Sequence, residues 1–426
     1  MQHVYKIALI LVLFLAFGGC REDEDTIVPE IQFFEPQPFS IINLPDTLDI
    51  RVNVRDDQNL TMVTLNLLDD ENIPVTQVRN YYPYSTEFLL QASLVLDSEL
   101  LTSGAYFIKV SAFDGYNSVS EYLQITIKEI PDQVLAFVAV TAPLSFTSGL
   151  YRLNPDYEID SVVYINDKCE LSGSNSNYGQ FFFVSDQPSV MTAYDVISFD
   201  QAWEEASNPP RPLFTCLYND KDCFFATANG DAGIIDNDGH VVLRTPSYPD
   251  KVIQCLAADE NYIYAGHQSL SGEINQLTIY YRVTGAIRVQ QLVSAEILGL
   301  VPLSDEILAF MLSGSDIVLL NYDPEDLEIT NTLTLQGEVF RSAEKVSDAQ
   351  IFILTDRCVI SYYPQNEKFV DFTNQPYDFC RYEKLDDAVF LGKENKVERF
   401  GRYSGDLLNT ITFDEQVLDF QIFYNR

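Results

Sequence analysis

Five carboxylates recur at one place in a repeated pattern. Glu170, Glu296, Glu338, Asp378 and Asp419 each stand just before an apolar, strand-like run. Carboxylates gathered from successive repeats would ring one opening. There their hard oxygens suit a metal cation such as calcium, or the basic loop of another protein. The structural alternative is that each accepts backbone N–H bonds that lock neighbouring repeats, and a position that recurs with the repeat favours it. Arg341 and Arg381 lie three residues beyond Glu338 and Asp378. They can pair with these carboxylates or offer a fork for an anion; pairing is the expectation.

Other reactive types are sparse. Beyond His3 the histidines are His240 and His267. His240 follows Asp236-Asn-Asp-Gly239, a hairpin-turn signal, and the closing glutamate of an EF-hand is missing. His267 reads as a strand-end residue. No nucleophile elbow, phosphate loop or dinucleotide fingerprint is present. With 63 acidic residues, chance carboxylate pairs suited to glycoside hydrolysis are expected, so an enzyme ranks below a binding module. Cys169, Cys216, Cys223, Cys255, Cys358 and Cys380 are too widely spaced for a zinc ribbon. They read as buried small hydrophobes, with a disulfide among Cys216, Cys223 and Cys255 as an option. Asp56, Asp57 and Asp114 read as surface turn residues; a site resembling the calcium site of cadherins is the alternative. No cofactor is expected apart from that structural calcium.

Cys20 follows an apolar run from Ile7 to Phe17 and two glycines, and Arg21-Glu22-Asp23-Glu24-Asp25 comes directly after it. The run is shorter than the about 20 residues that a membrane-spanning helix needs. It suits a signal-peptide core, with Lys6 as its positive end. Small residues before a cysteine resemble the lipobox of bacterial lipoproteins, although Phe17 stands where Leu is usual. The resemblance implies cleavage of residues 1–19 and palmitate-type acylation of Cys20, each buried CH₂ contributing about 0.8 kcal/mol to anchoring. The acidic run resembles the surface-export signal of Bacteroidetes-type lipoproteins. That implies an outer-membrane protein exposed at the cell surface, with the periplasmic face as the alternative. Thr26, Thr47 and Ser161 each follow Asp and precede an apolar residue, which resembles the O-glycosylation acceptor of such exported proteins.

The formal charge is −37, and removing residues 1–19 deletes only Lys6 among the charged side chains, giving −38. Such a charge repels nucleic acid and anionic headgroups, so no nucleic-acid partner is expected. Trp203 is the single tryptophan, which argues against a sugar-stacking surface.

These groups must be positioned by strands. Residues 20–40 read as an acidic, proline-containing tether. Period-two runs then follow at Leu48–Val54, Met62–Leu67, Phe88–Leu94, Tyr106–Ala112 and Tyr122–Ile127. Such alternation marks half-buried strands and predicts a β-sandwich over residues 41–129. The stretch Leu101 to Gly115 resembles the penultimate strand of immunoglobulin-like and fibronectin-type modules, with Tyr106 where those folds place a corner-forming tyrosine. Ile130–Gln133 is the expected hinge.

Beyond it, over residues 134–426, first-strand candidates begin at Phe214, Ile253, Ile297, Val339, Phe379 and Phe420, at spacings of 39, 44, 42, 40 and 41 residues. Leu171 begins an earlier, degraded copy. This period predicts four-stranded blades of a β-propeller. Phe420–Tyr424 is a first strand without a successor, and Val134–Val140 is a second strand without a first. Joining them makes one blade from both ends and closes a seven-bladed ring. The expected fold is therefore all-β: an immunoglobulin-like sandwich followed by a seven-bladed β-propeller closed by the C-terminal strand.

This architecture resembles propeller lipoproteins of Bacteroidetes-type outer membranes. The resemblance implies a binding or scaffold module, an accessory subunit of an outer-membrane transport or assembly complex whose partners are other membrane or cell-surface proteins. The alternative is an enzyme acting on extracellular glycan or peptide through carboxylates at the channel mouth.

Overall fold

The computed structural model describes residues 26–96, 101–144, 146–186, 189–205, 214–219 and 222–425. Cys20, the acidic run Arg21–Asp25 and the signal segment lie outside them. The chain divides between Pro131 and Asp132 into two compact units.

The N-terminal unit is a sandwich of two sheets. One has three strands, Glu30–Glu35, Asp46–Leu60 and Ser85–Leu96. The other has five, in the spatial order Ile41–Asn43, Ser118–Lys128, Gly104–Phe113, Met62–Leu68 and Arg79–Tyr81. Alternation does what strand geometry requires: Tyr106, Ile108, Val110 and Ala112 turn inward from Gly104–Phe113 and meet Val52, Val54, Leu90 and Leu94 of the facing sheet in one core. The Tyr106 hydroxyl donates to the Thr102 carbonyl at 3.0 Å, tying the strand to the turn before it. The expected tether to residue 40 is shorter than the sequence suggested. Glu30–Glu35 pairs along Asp46–Leu60, and Ile31 and Phe33 pack on the core. The prolines stand outside this strand, Pro29 before it and Pro36 after it, where no ladder N–H is needed.

The second unit holds, among the described residues, seven four-stranded antiparallel sheets. Blades 2 to 7 each use four consecutive strands, opening with Cys169–Asn175, Phe214–Asn219, Lys251–Ala258, Glu296–Pro302, Phe340–Ser347 and Phe379–Glu383. Blade 1 takes its first strand from the C-terminal end: Gln416–Tyr424 pairs with Val134–Leu144. Each first strand touches those of its two neighbours, and Gln416–Tyr424 touches both Phe379–Glu383 and Cys169–Asn175, so the circle closes. Some strands begin earlier than expected, at Gln416 rather than Phe420 and at Lys251 rather than Ile253, because the ladder continues past the apolar residues into polar ones.

Packing follows the same symmetry. Seven apolar clusters fill the seven interfaces between adjacent blades. At the closing interface, Phe420 stacks on Phe137 at 5.5 Å and lies 5.2 Å from Phe390 of blade 7. In six blades the first strand carries a β-bulge near its start, at Glu170, Thr215, Gln254, Leu298, Arg341 and Leu418. An extra residue there sharpens the twist and re-aims the side chains that follow.

Deleting Phe420–Arg426 removes Phe420, Ile422 and Phe423 from two interfaces. Truncating one buried Phe costs about 3–5 kcal/mol, against a typical total stability of about 5–15 kcal/mol. The truncated chain should lose the propeller's cooperative thermal transition; an unchanged melting temperature would contradict the closure described here.

Candidate functional site

The first strands of all seven blades line two adjoining cavities of about 590 and about 370 Å³. The larger is walled chiefly by Leu217, Leu256, Leu298, Leu300 and Val301. The smaller is walled by Ser172, Ser174, Arg381, Tyr382 and Gln421. Tyr218 and Glu344 belong to both. The channel thus has an apolar side over blades 3 to 5 and a polar side from blade 6 round to blade 2.

Asp419 organises the polar side. Its Oδ1 accepts from Arg381 Nη2 at 2.6 Å and from the Phe420 N–H at 2.8 Å. Its Oδ2 accepts from Gln421 Nε2 at 2.7 Å and from the Ser172 hydroxyl. One carboxylate therefore joins blades 7, 1 and 2. Arg381 also donates through Nη1 to the Cys380 carbonyl at 2.8 Å, and Ser174 donates to Gln421 Oε1 at 3.0 Å. Blade 6 is joined to blade 7 by Arg341 Nη1, 2.6 Å from Asp378, and to blade 5 by Lys345, which donates to the Pro302 carbonyl at 2.6 Å and lies 2.8 Å from Asp348.

Glu344 stands apart. Its Oε1 accepts the Tyr382 N–H at 3.1 Å, and among the described residues it forms no ion pair. Burial pushes its carboxyl up from the usual range, and the Arg381 guanidinium offsets part of that.

The five recurrent carboxylates do not share one register, so they form no uniform ring. Glu170 is itself a bulged residue and pairs with Lys168. Glu296 opens its strand opposite Leu312. Glu338 precedes its strand, 3.8 Å from Arg357. Asp378 directly precedes its strand and Asp419 lies inside its own. Arg341 and Arg381 are likewise not equivalent: Arg341 is the bulged residue of blade 6, whereas Arg381 lies in regular register opposite Phe390. Each still reaches the carboxylate of the following blade. The bulges, invisible in residue spacing, shift the alignment.

All six described cysteines are free, which corrects the disulfide option. Cys216 and Cys255 lie on first strands of adjacent blades, and Cys223 on a second strand. Burial pushes the Cys216 thiol up to about 12, so it is no nucleophile at neutral pH. His267 is buried inside Tyr262–Ser269 rather than at its end, with Nε2 3.0 Å from the Tyr280 hydroxyl. Burial, then Lys251, lowers it to about 4. His240 is exposed beside Asp236.

Asp114 is buried rather than a surface turn residue, and its Oδ1 accepts the Tyr116 and Asn117 N–H groups at 2.5 and 2.6 Å. Asp56 and exposed Asp57 lie within Asp46–Leu60, not in a turn. Asp56 is pushed up to about 6 by burial and by Asp114. Among the described residues no three or more His, Cys, Asp or Glu side chains are arranged to hold a metal ion. Thr26 and Thr47 are exposed and Ser161 is half-buried.

Residue spacing did not point to Glu344, Ser172, Ser174 or Gln421. The available signal was a charge inside a first strand: Ser342-Ala-Glu344-Lys345 where blade 4 has Cys255-Leu-Ala-Ala258.

No protein-family model matches the chain, and no curated protein matches it. Solved structures similar to it include three propellers. The β-propeller domain of Cps50 (Swd1) from Myceliophteria thermophila is 10% identical, covering 61% of this chain and 91% of that one, with TM-score 0.49. BamB from Moraxella catarrhalis is 14% identical, covering 72% and 91%, with TM-score 0.44. A quinonprotein alcohol dehydrogenase-like protein from Bacteroides thetaiotaomicron is 10% identical, covering 94% and 100%, with TM-score 0.46.

Replacing Arg381 by Met should destabilise the propeller by about 3 kcal/mol, because Asp419 is left without its guanidinium. Replacing Arg341 by Met should cost about 1 kcal/mol or less, since that pair is more exposed. Denaturant midpoints measure both; equal effects would show that the Arg381–Asp419 bond does not organise the polar side.

Proposed function

We propose that the chain is a binding and scaffold module and not an enzyme: a lipoprotein anchored through Cys20 to the outer membrane, exposed at the cell surface, and an accessory subunit of a transport or assembly complex there. The two-sheet unit follows the anchor in chain order, and the propeller docks the partner.

One observation supports this reading above the others. Most channel charges are tied into bonds between blades, Asp378 by Arg341 and Asp419 by Arg381 with Ser172 and Gln421. A hydrolytic pair needs one carboxyl free to donate a proton and another free to attack or activate water. Carboxylates consumed by the scaffold supply neither.

Mild detergent extraction, affinity capture of the full chain and mass spectrometry of what accompanies it test the reading. Stoichiometric recovery of an outer-membrane protein is the expected result. Recovery of this chain alone, or turnover of a glycan or peptide abolished by Asp378→Ala with capture unaffected, would overturn it.

A further inference from the structure

We propose that the propeller channel binds an organic cation with an apolar stem, the side chain of a lysine or arginine presented by a basic loop of a partner protein. The proposal rests on the docking reading above and names the chemistry by which docking occurs.

Glu344 carries it. This carboxylate lies where the two cavities meet. The other charged groups on this side are spoken for. Asp419 holds Arg381 at 2.6 Å, Arg341 holds Asp378 at 2.6 Å, and Lys345 is turned to Asp348 at 2.8 Å and to the Pro302 carbonyl. Glu344 receives only the Tyr382 N–H. Arg381, on the wall of the smaller cavity, serves two carboxylates, Glu344 on that wall and Asp419 behind it, so one negative charge is left uncompensated there. A half-buried carboxylate that shares the Arg381 guanidinium with Asp419 is costly, and an arriving cation supplies what the fold omits.

The rest of the channel selects the cation's body. Leu217, Leu256 and Leu300 form the wall across from the polar side, a surface for methylenes rather than for water. A lysine or arginine side chain joins a charged head to an apolar stem in this way. A metal ion finds one carboxylate and no further cluster among the described residues. An anion would meet Glu344, with Arg381 already held by Asp419, and a neutral ligand would leave Glu344 unpaired. Cavities of about 590 and about 370 Å³ lie within the range of ligand sites. Leu217, Leu298 and Glu344 keep partial exposure, so the channel admits a ligand. The strongly acidic chain, at −37, would steer a basic partner toward it.

The test uses the full chain and three acetylated, amidated tripeptides, Leu-Lys-Leu, Leu-Gln-Leu and Leu-Glu-Leu, titrated calorimetrically to millimolar concentration. The lysine peptide should bind at least tenfold more tightly than the other two. Glu344→Gln, which keeps an acceptor for the Tyr382 N–H, should erase that preference without lowering the melting temperature. Equal binding of the three peptides, no binding of the lysine peptide, or a preference that survives in Glu344→Gln would overturn the proposal. If the variant does not fold, the peptide series on the unaltered chain decides alone. Loss of peptide selectivity with partner capture intact removes the cation site and leaves the docking reading standing. Lysine-selective binding with no captured partner does the reverse.

Discussion

One antiparallel pairing holds the second unit together: Gln416–Tyr424 on Val134–Leu144. Radial blades bury their faces only against each other, so an incomplete blade leaves two interfaces without a wall and presents open edges. The terminal strand supplies both walls. Val417, Phe420 and Ile422 face blade 7, and Phe423 faces blade 2. Reciprocal bonds between Gln133 and Asn425, at 2.9 and 3.0 Å, carry the pairing past the ends of the strands.

The same strand contributes Gln421, Ile422 and Tyr424 to the smaller cavity of the channel. Because side chains alternate along it, the residues between its core positions, Asp419 and Gln421, meet Ser172 and Ser174 of blade 2. Closure and polarity are thus two faces of one element. Blades 3 to 5 follow each other in the chain without a terminal seam, and their first strands turn mainly apolar side chains to the larger cavity. At the seam Asp419 and Gln421 bond to blades 7 and 2, and Glu344 of blade 6 lines the same cavity as Gln421.

The architecture was largely legible in the sequence because repetition is a property of spacing. Apolar starts 39 to 44 residues apart reflect the length of chain that four short strands and their turns consume. The missing first strand before Val134 and the surplus one after Phe420 identified the closing blade. Strand register was not legible. The spacing of apolar starts does not record where a strand carries an extra, bulged residue, so Glu170 and Asp419 looked equivalent although one is the bulged residue and the other follows it. Glu30–Glu35 was missed because its flanking prolines outweighed the inward pair Ile31 and Phe33. The channel chemistry was hidden for a third reason. Whether a carboxylate is bonded or open depends on partners in other blades, such as Arg381, 38 residues from Asp419, and no local pattern records them.

The central claim is that the terminal strand is an integral stave of the ring. Hydrogen exchange of the intact chain measures this directly. If the claim holds, the amides of Phe420–Phe423 exchange only through global opening of the propeller, at the rate of Val389–Leu391 in blade 7. If those terminal amides exchange orders of magnitude faster while blade 7 stays protected, the strand frays independently and the closed ring is not what stabilises this protein.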